Sequence, residues 1–248
     1  MTTSQPQLRS DHMTAEEKTH FLAQGYLHVR GVLTGDHLAH LRSEFDRVWD
    51  LEKPRVNQHQ LLKYQPFINL IEHGPILGKH RSIFGDQVQL LQYDLLRQGP
   101  RSEAPERYWH RDFSFPGDRP IAINTILYLD DMTEETGPTL VVPGTHIGDA
   151  SPAHAERGQS LPGEVAVHAR AGDAVLINAA IWHSGGRNRG EGLRRAIYLY
   201  YGFWWLKRYE SDQALPWQAL AQASDQRLSL LGVRMPDPRF HMYEGHEA

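Results

Sequence analysis

The segment Tyr108-Trp109-His110-Arg111-Asp112-Phe113 sets a histidine and a carboxylate two positions apart. In a strand or extended loop, residues i and i+2 point the same way, so His110 and Asp112 can reach one metal ion together. The pair alone is cheap. With 15 histidines and 30 acidic residues in 248 positions, about one His-x-Asp arises by chance. His154-Ala-Glu156 is a comparable pair in a stretch rich in alanine, glycine, proline and serine, and it reads as a solvated loop.

A second element changes the weight of the first. Gly172-Asp173 turns into the apolar run Ala174-Val175-Leu176-Ile177, and the chain then reaches Ile181-Trp182-His183. Eleven positions later Arg194 opens the strand-like Arg195-Ala196-Ile197-Tyr198-Leu199-Tyr200. A distal histidine at the end of one strand and an arginine entering the next can face one cavity. Two histidines and one carboxylate on one face of an octahedral metal leave three open positions, the arrangement of non-haem Fe(II) oxygenases. A bidentate 2-oxo acid and dioxygen would fill them. The far carboxylate of 2-oxoglutarate then needs a buried cation, and the planar guanidinium binds it through two parallel hydrogen bonds. Arg195 takes that role instead if the strand register is shifted by one.

These residues need a framework. Thr14 can cap a short helix carrying Glu16 and Glu17 in its first turn, which Gly25 ends. Residues 26–32 read as a short strand, and Thr34 opens a helix with Leu38, Leu41, Phe45, Val48 and Trp49 on one face. A weaker helical stretch covers 65–84. From Gln87 the texture changes: 87–97, 121–129, 139–142, 164–168, 174–177 and 195–201 are short, β-rich and bounded by turn formers. The pattern predicts a mainly β protein with flanking helices around a jelly-roll (cupin-like) or other barrel-like β core. The tail mixes a helical 213–230 with an irregular end. Residues 1–13 read as a disordered tail, and 14–248 as a single domain without repeats.

Composition narrows the classes. A net charge of −4 carries no basic excess, which argues against nucleic acid as a partner. No run of 18 apolar residues is present and the N-terminus is polar, so neither a membrane span nor a signal peptide is expected. The absence of cysteine removes disulfides and thiolate metal sites and suits a reducing cytoplasm. Oligomeric state is not legible.

In order and spacing the chain resembles the phytanoyl-CoA dioxygenase (PhyH-like) family of Fe(II)/2-oxoglutarate oxygenases. The likeness runs from Phe21-Leu22-Ala23-Gln24-Gly25-Tyr26 through Trp109-His110-Arg111-Asp112 and Asp131-Met132-Thr133-Glu134-Glu135-Thr136-Gly137-Pro138. It continues with Val142-Pro143-Gly144-Thr145-His146 and closes on His183, Asn188 and Arg194-Arg195. The resemblance implies that His110, Asp112 and His183 bind Fe(II) and that Arg194 holds 2-oxoglutarate. By analogy with the ectoine hydroxylase branch, Gln92 and Asn124 match cofactor contacts, although either residue equally suits an ordinary bond within a sheet. The pattern departs at Gly185, where many relatives carry serine, with Ser184 one place early. The implied activity is oxidation, foremost hydroxylation, of a small organic molecule by dioxygen, with release of succinate and CO2. Desaturation, epoxidation and ring closure are the alternatives, as is a non-catalytic ligand-binding barrel. Asp112 argues against an iron halogenase, in which chloride replaces the carboxylate, and no His-x-His pair of the cupin type occurs. His146 reads as structural, and the Phe203-Trp204-Trp205 cluster as core. Phe113 and Phe115 are the candidate substrate contacts. Segments 55–72 and the chain after Tyr201 are expected to wall the pocket, and Phe67, Phe113, Phe115 and the tryptophans lean it towards an apolar or aromatic small molecule such as a biosynthetic intermediate.

Overall fold

A computed structural model describes residues 11–151 and 158–235. The segment holding His154 and Glu156, and the chain after Met235, lie outside the described residues.

Helix α1 (Ala15–Gln24) starts on a capping box: Thr14 Oγ1 accepts from Glu17 N–H, and the Glu17 carboxylate accepts from Thr14 N–H. It ends on Gly25 at φ 80°, a left-handed cap that glycine adopts without strain. A side chain there would also strike the His146 ring, 2.5 Å from where its Cβ would stand. His12 and Met13, expected within a disordered tail, are bonded to a later helix: Lys79 Nζ donates to the His12 carbonyl at 2.8 Å and Met13 N–H donates to Ser82 Oγ at 2.8 Å.

Strand β1 (Tyr26–Val29) stops short of the expected residue 32, because the chain turns at Gly31, whose N–H donates to Asp173 Oδ1. Helix α2 (Gly35–Glu52) begins after Thr34 as expected, but the threonine hydroxyl makes no cap bond. It buries Leu41, Phe45 and Val48, worth about 1.5–3 kcal/mol apiece in apolar burial. A short helix α3 (Gln58–Leu61) follows, capped by Asn57, which no periodicity announced. The helical stretch expected over 65–84 divides into α4 (Gln65–Leu70) and α5 (Gly74–Phe84). Pro75 enforces the break, since proline is accommodated in a first turn but not inside a helix.

The β core follows the expected segments closely: β2 (Val88–Gln98), β3 (Ala122–Tyr128), β4 (Thr139–Val142), β5 (Val165–Val167), β6 (Ala174–Asn178), β7 (Trp182–Gly185) and β8 (Arg194–Phe203). They form two antiparallel sheets, β1-β6-β3-β8-β2 and β5-β4-β7, the double-stranded β-helix or jelly-roll core. His183 therefore does not end β6; it sits on its own strand in the smaller sheet. In the tail, Pro216 and Ser224 cap two short helices, α6 (Trp217–Leu220) and α7 (Asp225–Leu230), where one was expected.

Alternation sorts the larger sheet into two faces. Ile123, Leu127, Leu176, Ile197, Leu199 and Tyr201 pack against the helices in the main core. Ile126, Tyr128, Val175, Ile177 and Ala196 point the other way and meet Val141 and Val167 of the smaller sheet. On β2 the register slips between Leu90 and Gln92. Before the bulge Val88 and Leu90 face the helices; after it Tyr93 and Leu95 do, which leaves Gln92 and Asp94 on the opposite face.

Candidate metal centre

The site lies between the two sheets. His110 is on the long β2–β3 connection, which is tied to the smaller sheet by a bridge: His110 N–H donates to the His183 carbonyl and His183 N–H to the His110 carbonyl, both at 3.0 Å. Asp112 and Phe113 N–H both donate to the Ala179 carbonyl. An irregular segment is thereby held at both members of the His-x-Asp pair.

These bonds bring His110, Asp112 and His183 together, with one ligand atom of each within 4.8 Å of the others. Asp112 Oδ1 stands 3.6 Å from His110 Nε2 and 3.7 Å from His183 Nε2. The Nδ1 of His110 lies 2.8 Å from the Tyr108 carbonyl, and that of His183 3.1 Å from the Ile181 carbonyl. A carbonyl only accepts, so both Nδ1 atoms carry the proton and both Nε2 lone pairs converge on Asp112, as metal-ligating imidazoles require. Burial pushes the His183 pKa down, with His110 adding to the effect and Asp112 and the Ile181 carbonyl opposing it, which favours the neutral, coordinating ring. The second carboxylate oxygen, Asp112 Oδ2, accepts from Asn124 Nδ2 at 3.2 Å. The donor set fits a divalent metal with open positions.

Arg194 fits the accompanying acid. It is 1% exposed, its Nε points to Met132 Sδ at 3.2 Å, and its two terminal nitrogens are buried without a partner. A buried guanidinium with an idle fork costs folding energy unless an anion completes it. Arg194, Ala196, Tyr198 and Tyr200 share one face of β8, and Tyr198 feels the charges of both Arg194 and Asp112. Arg195 faces the other side.

A cavity of about 420 Å³ opens beside Asp112, walled by Leu91, Gln92, Asp94, Phe113, Asn124, Tyr198, Tyr200, Lys207 and Tyr209. Gln92 and Asn124 are the register partners of Tyr200 on its two sides, and Asp94 is the partner of Tyr198. Two of the expected substrate-side residues, and one expected segment, are placed elsewhere. Phe115 is 66% exposed and outside the cavity wall, Phe67 lies in the main core against Tyr93, and segment 55–72 contributes no wall. That segment instead fastens the tail: Glu210 takes Arg55 and the Asn57 amide, and so holds Lys207 and Tyr209 at the cavity. Lys207 and Tyr209 come from the chain after Tyr201, as expected, whereas Asp94, Tyr198 and Tyr200 escaped sequence reasoning, since no spacing reveals a bulge or a register.

The remaining expectations resolve simply. Ser184 is opposite Leu140 on the outer face of the smaller sheet, and its hydroxyl bonds the Gly185 carbonyl, away from the site. His146 Nε2 contacts the Leu22 carbonyl at 2.9 Å, joining the turn after β4 to α1. Of the cluster expected to be core, Phe203 packs on Phe84 in the helical layer, whereas Trp205, stacked on Phe203, is 51% exposed. No helix of the described residues is long and apolar enough to cross a membrane.

A family model for phytanoyl-CoA dioxygenase (PhyH) matches residues 21–196. The dioxygenase trt7 of Aspergillus terreus is 30% identical over 102 residues, 38% of this chain and 34% of that protein. The chain thus matches about a third of that curated relative's length. Among solved structures, HygX of Streptomyces hygroscopicus, with nickel and 2-oxoglutarate bound, superposes with a TM-score of 0.67 at 24% identity, over 80% of this chain and 90% of that one. The α-ketoglutarate-dependent epimerase SnoN of nogalamycin biosynthesis gives 0.65 at 23% identity, over 76% and 82%. At these identities the structures show a shared fold.

Proposed function

Because the chain belongs to the phytanoyl-CoA dioxygenase (PhyH) family of non-haem Fe(II)/2-oxoglutarate oxygenases, we propose that it oxidises a small organic molecule with dioxygen, foremost by hydroxylation. The observation that carries this reading is the pairing of a His110–Asp112–His183 donor set with the partnerless buried fork of Arg194. Bound Fe(II) would activate dioxygen, the oxidant, and 2-oxoglutarate would supply the two electrons that this needs, leaving as succinate and CO2.

The chain's own residues then have distinct tasks. His110 and His183 present Nε2 because Tyr108 and Ile181 carbonyls hold their Nδ1 protons. Asn124 fixes Asp112 by its Oδ2, which leaves Oδ1 for the metal. Arg194 receives the distal carboxylate of 2-oxoglutarate through two parallel hydrogen bonds. Gln92 and Asn124 flank the cofactor on the neighbouring strands, Asn124 acting through Asp112. Phe113, Tyr198 and Tyr200 wall the substrate space.

Succinate formed from 2-oxoglutarate on addition of Fe(II), measured with and without a candidate substrate, tests the reading. No iron-dependent succinate and no calorimetric binding of 2-oxoglutarate in the presence of a divalent metal would leave a ligand-binding barrel as the better account. Desaturation, epoxidation and ring closure are the alternatives to hydroxylation at the same residues, and the product distinguishes them.

A further inference from the structure

Asp94 is the feature of the cavity that the oxygenase reading leaves without a task. The β2 bulge turns it to the site face, opposite Tyr198, and its Oδ2 accepts from the Gln92 side-chain amide. Among the described residues no lysine or arginine forms an ion pair with it. Arg55, whose charge reaches Asp94, is bonded to Glu210, so two carboxylates share one guanidinium there. His59 stands 3.7 Å from Glu210, on the far side of that pair, and Lys207 lines the cavity without pairing with Asp94. Burial holds the Asp94 carboxyl above its ordinary pKa, as expected where a carboxylate is partly dried without a counter-ion. The walls beside it, Leu91, Phe113 and Tyr198, are apolar and aromatic.

We propose that Asp94 is the substrate-recognition group of this site and that the substrate carries a cationic amine, on an apolar or aromatic body, which docks on its carboxylate. The assignment rests on the oxygenase reading for its purpose, but not for its measurement. An ammonium would complete the charge balance of the cavity end and convert a half-dried carboxylate into a charge-assisted pair. A neutral hydroxyl would satisfy the hydrogen bond but leave the charge.

Tryptamine and tryptophol share an indole body and differ in an ammonium against a hydroxyl. Calorimetry of each with the full chain, with and without Ni(II) and 2-oxoglutarate, is expected to give at least tenfold tighter binding of tryptamine. Asp94→Asn should bring the two probes to equal affinity, and Asp94→Glu should keep part of the preference. Tryptamine binding no more tightly than tryptophol to the parent chain, including no binding of either, overturns the proposal. So does an undiminished preference in Asp94→Asn. If that variant weakens 2-oxoglutarate binding while the amine preference persists, Asp94 is a positioning residue for Gln92 and the proposal is again overturned. Failure of the oxygenase reading has a different signature: no metal-dependent binding of 2-oxoglutarate by the parent chain, whatever the probes do.

Discussion

Arg194 and Arg195 are consecutive on β8 and have opposite surroundings. The first is buried with two idle terminal nitrogens, whereas the second is fully engaged by Asp46 at 2.8 Å and Asp130 at 3.0 Å. Arg195 thereby clamps α2 to the end of β3. If Arg194 anchors 2-oxoglutarate, Arg194→Ala raises the apparent 2-oxoglutarate constant tenfold or more, in line with a loss of about 2–5 kcal/mol for a truncated buried charge pair. Arg194→Lys is also impaired, because an ammonium cannot form the two-bond fork. Arg195→Ala lowers the melting temperature and leaves the cofactor constant near that of the parent. The reverse pattern would place the cofactor on the other face of β8.

His110→Ala, Asp112→Ala and His183→Ala are each expected to cut metal affinity and iron-dependent succinate formation by about 100-fold or more, with circular dichroism unchanged. Direct metal titration is the readout. A variant retaining near-parental activity at limiting iron contradicts the three-ligand site.

Glu210 fastens the tail to Arg55 and Asn57. Glu210→Ala should raise KM for substrate several-fold with kcat little changed, and amide exchange over residues 207–213 should quicken. Unaltered exchange there would mean that other contacts hold the tail.

His80 is fully buried; its Nδ1 donates to the Ile76 carbonyl and its Nε2 accepts from Thr125. Burial lowers its pKa from 6.5 to about 4, so the folded chain binds fewer protons than the unfolded chain between those values. The stability His80 contributes is therefore complete above pH 6.5 and is lost as pH falls towards 4, at about 1.4 kcal/mol per pH unit. Denaturant unfolding of His80→Gln at pH 7 and pH 5 should show that part of the acid sensitivity gone.

The sequence determined the donor types, their order and the strands that carry them. His-x-Asp, a distal histidine and an arginine eleven positions later are local facts, and strand periodicity survives because alternation is fixed by the backbone. It also carried the family resemblance. Several things were not legible. That His183 lies on a strand of the smaller sheet depends on pairing with Val141 and His110, partners far away in the chain. That Arg194 and not Arg195 shares the face of Tyr198 and Tyr200 depends on register against β2 and β3, which one residue of slip inverts. Gln92 and Asp94 face the cavity only because a bulge interrupts β2 after Leu90. Which tail residues reach it is decided by long-range bonds: Glu210 takes Arg55 and Asn57 more than 150 positions earlier, and Tyr209 N–H donates to the Leu91 carbonyl. Spacing reports which side chains can share a face; long-range pairing decides which face that is and what it meets.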